Sequence, residues 1–206
     1  MKKSFRVLLC LLAMLTLAGC ATSDSFASTM AISTAATTQT ADSQDAYGTA
    51  PVPDGKPVPV EPQEQTEGEQ TFTCTISISC STILDNMEML DPEKTELVPE
   101  NGWLLEPVEV TFREGQSVFD VLLDVVKTRK IHMEYMDTPM YNSAYIEGIG
   151  NLYEFDCGNL SGWMYNVNGW FPNYGCSRYV LQDGDTVQWV YTCDLGADVG
   201  DNSMAG

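Results

Sequence analysis

The sequence predicts an α+β domain, a mixed sheet with one main helix, carried behind a leader and a disordered tether. Three observations predict it. Phe72, Cys74, Ile76, Ile78 and Cys80 alternate strictly with Thr73, Thr75, Ser77 and Ser79, and period two marks a strand with one buried face. Val118, Leu122, Val125 and Val126 recur at helical spacing behind Ser117, a stripe that a helix gathers on one side. Asn168-Gly169 and Asp183-Gly184 divide the C-terminal half into short strands, because both dipeptides favour tight turns.

The chain opens on Met1-Lys2-Lys3 and Arg6, followed by the apolar run Val7 to Leu17 and then Ala18-Gly19-Cys20. A basic start, a short apolar core and small residues before a cut describe a secretory signal peptide. The run is too short for a spanning helix, which needs about 20 apolar residues. A Cys directly after Leu-Ala-Gly resembles the lipobox of bacterial lipoproteins. That resemblance implies removal of residues 1–19 and lipidation of the Cys20 thiol. It also implies anchorage on the extracytoplasmic face of the cell membrane. An ordinary signal peptide with an incidental Cys is the other reading.

Charge and cysteine usage bound the partners. With 29 acidic and 10 basic residues the formal charge is −19, and removal of Lys2, Lys3 and Arg6 takes it to about −22. Such a chain repels phosphate backbones, so nucleic acid is not an expected partner. There is no basic cluster beside the anchor, so attachment would rest on two or more acyl chains. Cys10 leaves with the leader and Cys20 is lipidated, leaving Cys74, Cys80, Cys157, Cys176 and Cys193, an odd number for an oxidising compartment. There is no C-x-x-C and one His, so no zinc site of finger spacing and no resident metal or cofactor are expected.

Residues 20–70 are expected to form a disordered linker. Ala21 to Ala46 is rich in Ser, Thr, Ala and Gln; Pro51 to Gln70 carries five prolines and then Glu64, Glu67 and Glu69. Apolar residues are too sparse to offset ordering entropy, and the Pro half is expected to be locally extended. Composition changes at Thr71, where the domain (71–200) begins with its alternating strand. Residues 82 to 107 read as a long connection, broken by Pro92, Pro99 and Asn101-Gly102. Val108 to Phe112 is a second strand. Ser117 is the N-cap of the main helix, with Asp120 standing in for the usual Glu of a capping box. Lys127, Arg129 and Lys130 suit its C-terminal end. Tyr145 to Ile149 and Leu152 to Phe155 flank a Gly150-Asn151 turn, Trp163 to Val167 runs into Asn168-Gly169, and Thr186 to Thr192 is the last strand. Residues 201–206 form a tail.

The order hairpin, helix, then further strands is similar to a β-grasp domain. Gly115-Gln116-Ser117-Val118-Phe119-Asp120-Val121-Leu122, Tyr145-Ile146-Glu147-Gly148-Ile149, Ser161-Gly162-Trp163-Met164-Tyr165-Asn166-Val167-Asn168-Gly169 and Asp183-Gly184-Asp185-Thr186-Val187-Gln188-Trp189-Val190-Tyr191 sharpen the likeness. Over about residues 72 to 200 these blocks resemble the family related to the C-terminal domain of transcobalamin and intrinsic factor. In the vertebrate relatives that domain closes over one face of cobalamin while a helical barrel holds the other. The sequence contains no such barrel, so the resemblance implies a helical partner chain, or a transporter to receive the ligand.

By this resemblance a ligand-binding edge is expected at Tyr165, Asn166, Asn168, Trp170 and Phe171, for a corrinoid or another small ligand. A flat macrocycle with amide rims suits aromatic faces and Asn amides. The competing reading makes the aromatics core and Asn168-Gly169 merely a turn, with Trp163, Trp189 and Tyr191 inside the core and Trp170 and Phe171 the best exposed. His132 reads as a surface residue or, alternatively, a cobalt ligand. Asp194, Asp198 and Asp201 read as a solvated tail rather than a calcium loop. The β-grasp likeness makes the first and last strands parallel neighbours. It therefore offers Cys80–Cys193 as one disulfide and Cys157–Cys176, flanking the aromatic hairpin, as another. No nucleophile elbow or phosphate loop is present, so no enzyme is expected. Two functions remain: a lipid-anchored binding protein for a small ligand, and a cell-surface interaction module for a protein or glycan.

Overall fold

A computed structural model describes residues 45–201. The expected leader, the expected lipidation at Cys20 and residues 202–206 of the tail lie outside the described residues. The fold is α+β and β-grasp-like, with seven strands in two sheets among the described residues. Strand β1 (Thr71–Ser79) pairs antiparallel with β2 (Trp103–Arg113) and parallel with β7 (Thr186–Thr192); β7 pairs antiparallel with β6 (Gly162–Val167), giving the order β2-β1-β7-β6. A smaller antiparallel sheet has the order β3-β4-β5, from Met133–Thr138, Ser143–Ile149 and Leu152–Tyr153.

The alternation in β1 has the expected effect. Cys74, Ile76 and Ile78 lie in the core, level with Val110 and Val108 on β2 and with Val187 and Trp189 on β7. Ser77 and Ser79 are also buried, the Ser79 hydroxyl donating to Gly102 O at 3.2 Å. Helix α2 (Val118–Arg129) follows a one-turn helix α1 (Ser81–Leu84). It buries Val118, Val121, Leu122, Val125 and Val126 in the same apolar cluster. Its capping box forms with Asp in the Glu place: Asp120 N–H donates to Ser117 Oγ at 3.2 Å and Ser117 N–H to Asp120 Oδ2 at 2.8 Å. Such a cap is worth about 1 kcal/mol.

Three departures from the sequence reading have physical causes. Strand β2 begins at Trp103 rather than Val108 and carries Pro107, which is tolerated because β2 is an edge strand. The reading of 82–107 as connection therefore holds only to Gly102, and α1 and a 3-10 turn at Pro92–Leu97 lie within it. Strand β3 has no counterpart in the sequence reading. It is an edge strand with four successive exposed residues, so it shows no alternation.

The third departure is the tether. Residues 45–70 are ordered against the domain as a strap, so the expected disorder of 20–70 does not hold for them. Arg178, 1% exposed, pairs with Asp45 and, at 2.6 Å, with Glu61; it donates to Thr49 Oγ1 at 2.8 Å and lies 5.2 Å from the centre of the Tyr47 ring. Val60 N–H donates to Arg178 O at 2.9 Å, Tyr174 OH to Pro57 O at 2.7 Å and Gln65 Nε2 to Ser177 O at 2.7 Å. The prolines that make the segment look like a linker also restrict its unfolded state, which lowers the entropy lost on docking.

Removing one partner of a buried ion pair leaves the other charge uncompensated. Arg178→Met is expected to cost about 3 kcal/mol in urea unfolding and to expose residues 45–65 to protease; a strap as resistant as in the parent would refute the clamp. Burial raises the Asp45 pKa, but bonds from Arg178, from the Thr49 backbone and side chain and from the Tyr47 backbone outweigh it and hold the carboxyl down to about 2, from 3.8. A depressed carboxylate stabilises above its unfolded pKa. Strap protection, followed by hydrogen exchange, is therefore expected to be intact above pH 4 and to fall as pH drops towards 2.

Candidate ligand cleft

At the end of β6 the chain reverses at Asn168 and Gly169, with φ of 54° and 76°. Val167 N–H donates to Trp170 O at 2.9 Å and Trp170 N–H to Val167 O at 3.0 Å. The turn is as tight as the Asn-Gly pair predicts. No two-stranded hairpin follows it: after this single bridge the chain passes through residues 171–185 before joining β6 again as β7. Asn168 fastens the turn to the start of β7, donating from Nδ2 to Asp185 Oδ1 at 2.7 Å and accepting from Thr186 N–H at 2.9 Å. Asp185, in turn, accepts from Gln182 N–H at 2.8 Å.

Trp170 leaves this turn half-buried, its ring 6.1 Å from that of Tyr174 and 6.3 Å from that of Tyr179. Lys56 of the strap places its ammonium 5.4 Å from the Trp170 ring centre, a cation–π contact. Between strap and turn lies a cleft of about 450 Å³, bounded by Lys56, Pro57, Asn168, Trp170, Gln182 and Asp185, with Tyr179 behind. It offers one aromatic face, the Lys56 cation and the Gln182 side chain, with Asn168 and Asp185 bonded to each other at its edge. Burial pushes the hydroxyls of Tyr165, Tyr174 and Tyr179 up, so the aromatic cluster stays neutral at physiological pH.

The five residues expected at a binding edge separate. Asn168 and Trp170 line the cleft. Tyr165 lies beneath it in the core, donating its hydroxyl to Tyr174 O at 2.7 Å. Asn166 stands level with Gln188 on the opposite face of the sheet, 4% exposed, its Oδ1 without a partner. Phe171 is half-buried and does not line the cleft. Trp163, Trp189 and Tyr191 are core residues. Lys56, Gln182 and Asp185 are not among the site residues expected from the sequence. Lys56 has one sequence signal, being the sole cation between Arg6 and Lys94.

A second cavity of about 520 Å³ lies between the strap and the β3–β4 turn. Its polar groups are largely committed to the fold: Ser117 and Asp120 to the helix cap, Asn142 to Gln63 at 3.0 Å, and Ser143 to Ser177 at 2.8 Å. His132 is partly exposed and pairs with Glu134 at 3.4 Å. Asp198 accepts from Cys193 N–H at 2.7 Å and from the Thr192 hydroxyl, closing the end of β7. Among the described residues no group of three or more His, Cys, Asp or Glu could hold a metal ion, and no helix is long and apolar enough to cross a membrane.

Residues 115–193, which run from the turn before α2 to the end of β7, match a family described as a domain of unknown function, DUF4430. Among solved structures the chain is similar to haptocorrin in complex with Cbi, at 14% identity and a TM-score of 0.46, over 63% of this chain and 27% of that one. The chain thus spans about a quarter of the haptocorrin chain. It is also similar to a protein of Ruminococcus gnavus ATCC 29149 described as a candidate metal-binding protein, at 11% identity and a TM-score of 0.33, over 59% of this chain and 96% of that one. No curated protein matches the chain.

Asn168 carries the cleft's geometry, so its substitution separates backbone from side-chain effects. Asn168→Ala is expected to cost about 2 kcal/mol, from the lost bonds and the left-handed backbone together. Asn168→Gly keeps the backbone at ease and is expected to cost less in the same urea series. Equal stability of all three proteins would show that the amide does not hold the turn.

Proposed function

We propose that this chain is a lipid-anchored, extracytoplasmic binding protein without catalytic activity, and that it captures a flat, amphipathic small ligand in the cleft beside Trp170. The observation that carries this reading is the Trp170 face itself. It is backed by Tyr174 and Tyr179 and faced by the Lys56 ammonium, while Asn168 and Asp185 at its rim are bonded to each other and to backbone N–H groups and so hold the turn in place. The cleft lining is more polar than apolar, and the Trp170 ring is the apolar surface it offers a flat ligand. The leader and its Leu-Ala-Gly-Cys block support the location, and the absence of a nucleophile elbow or phosphate loop supports a binding role.

Within that reading the first ligand class to test is a corrinoid, which the sequence blocks around Trp163 and Trp189 favour. A cleft of about 450 Å³ would cover part of one face of such a macrocycle, leaving the other face for a helical partner chain. A second reading rests on a different observation. The β3–β4 hairpin leaves Met136, Met140, Tyr141 and Tyr145 exposed on or beside an edge strand, a surface suited to an interaction module that docks a protein.

The test is calorimetry and absorbance of the full mature chain in detergent, titrated with cobalamin and with cobinamide. Saturable binding at or below micromolar is expected, with a shift of the corrin bands. Trp170→Ala is expected to weaken it roughly tenfold, by loss of the stacking face. Silent titrations with both corrinoids would end the corrinoid reading, and binding unaltered by Trp170→Ala would move the site elsewhere.

A further inference from the structure

All five described cysteines are free thiols in this structure, yet two of them meet. We infer that Cys157 and Cys193 are the residues that join as a disulfide once the chain leaves the reducing cytoplasm, closing a covalent loop around the candidate cleft. Cys157 lies in the connection between β5 and β6, and Cys193 directly follows the last residue of β7. Their thiols are in hydrogen-bond contact, with Thr82 beside Cys193 and Asn86 O 3.4 Å from the Cys157 sulfur. The backbones around them are held together on both sides. Leu195 N–H donates to Leu160 O at 3.0 Å, and the hydroxyls of Ser161 and Tyr191 are 2.9 Å apart. Cys157 N–H donates to that same Ser161 hydroxyl at 3.1 Å.

The pairings offered by the β-grasp likeness fit less well. In the parallel register Ser79 stands level with Val190, which puts Cys80 level with Tyr191 and two residues short of Cys193. Roughly 6.6 Å along the strand and 4.8 Å across it place those Cα atoms about 8 Å apart, beyond the reach of a disulfide. Cys176 sits under β4, its sulfur 3.5 Å from Ala144 O, whereas the neighbours of Cys157 are Asn86 and Cys193.

The segment to be fastened carries a strained residue. Phe155, 61% exposed, has φ of 68°, a conformation that a bulky side chain keeps only where its surroundings impose it. With both thiols reduced that conformation is held by the fold, the Phe155 N–H donating to Ser161 O at 3.1 Å. In the reaction both S–H bonds break and one S–S bond forms. The two electrons and two protons pass to the disulfide of a thiol oxidant, which leaves as two thiols. The thiolate is the reactive form, and burial pushes both thiols up, Cys193 to about 12. The bond therefore forms while the chain is folding rather than afterwards.

The timing rests on the extracytoplasmic reading; the pairing does not. The test is the full mature chain isolated without reductant, unfolded in an alkylating agent and digested unreduced. The expected product is one linked peptide pair holding Cys157 and Cys193, lighter than the separate peptides by two hydrogens and released by reductant. Cys157→Ser, Cys193→Ser and the double variant are expected to lower the melting temperature equally, and no further than reduction lowers the parent. A link between either residue and a different cysteine overturns the pairing. So does alkylation of both thiols after refolding in a glutathione redox buffer. A chain isolated reduced that forms the same link in that buffer upholds the pairing and counts against the extracytoplasmic location.

Discussion

The buried guanidinium of Arg178 is the constraint on which the arrangement around the cleft depends. It sits at the end of a 3-10 turn, Cys176–Arg178, beside Tyr179, and it draws in Asp45 and Glu61 from 133 and 117 residues away. A lone buried cation would be untenable, and two carboxylates, a hydroxyl and an aromatic face meet its two terminal nitrogens and its plane, while Nε is left without a partner. The strap that supplies these groups also carries Lys56 to Trp170. One charge thus fixes both the path of the N-terminal segment and one wall of the cleft.

The other wall comes from the sheet. The parallel β1–β7 pair places Ile76 and Ile78 level with Val187 and Trp189, and the antiparallel β6–β7 pair aligns Tyr165 with Trp189 and Trp163 with Tyr191. These aromatic pairs, with ring centres 5.6 and 5.3 Å apart, make a stiff floor. Asn168 then spends both ends of its amide on β7. Trp170 emerges from a turn that is bolted at its base, and its ring is presented by the fold rather than by a free loop.

The parts of this arrangement that follow from local periodicity were legible in the sequence. The alternation of β1 and the stripe and cap of α2 required only neighbours a few residues apart, as did the buried faces of β6 and β7. The strap was not legible, because its composition is that of a linker and its order comes from residues more than a hundred positions away, Arg178 first among them. Arg178 did leave a trace, being the sole cation after Lys130 and set among aromatics. Strand β3 was hidden by its exposed edge. The tight reversal at Asn168-Gly169 was legible from turn chemistry, whereas the binding edge came from the family resemblance alone. Strand alternation puts Tyr165 and Asn166 on opposite faces, and the one lies under the cleft while the other lies on the far side of the sheet.

The strap also sets how the molecule responds to load. Its contacts are strung out in sequence: Asp45 and Thr49 on Arg178, Pro57 on Tyr174, Glu61 on Arg178 again. A pull from the N-terminal side meets them one at a time, as a zipper does, rather than all at once in shear. The first contacts to give are those of Asp45, and the Lys56 cap over Trp170 lifts only after them, while Glu61 and Gln65 still hold. Tension on the chain would therefore take away the Lys56 wall of the cleft before it disturbed either sheet.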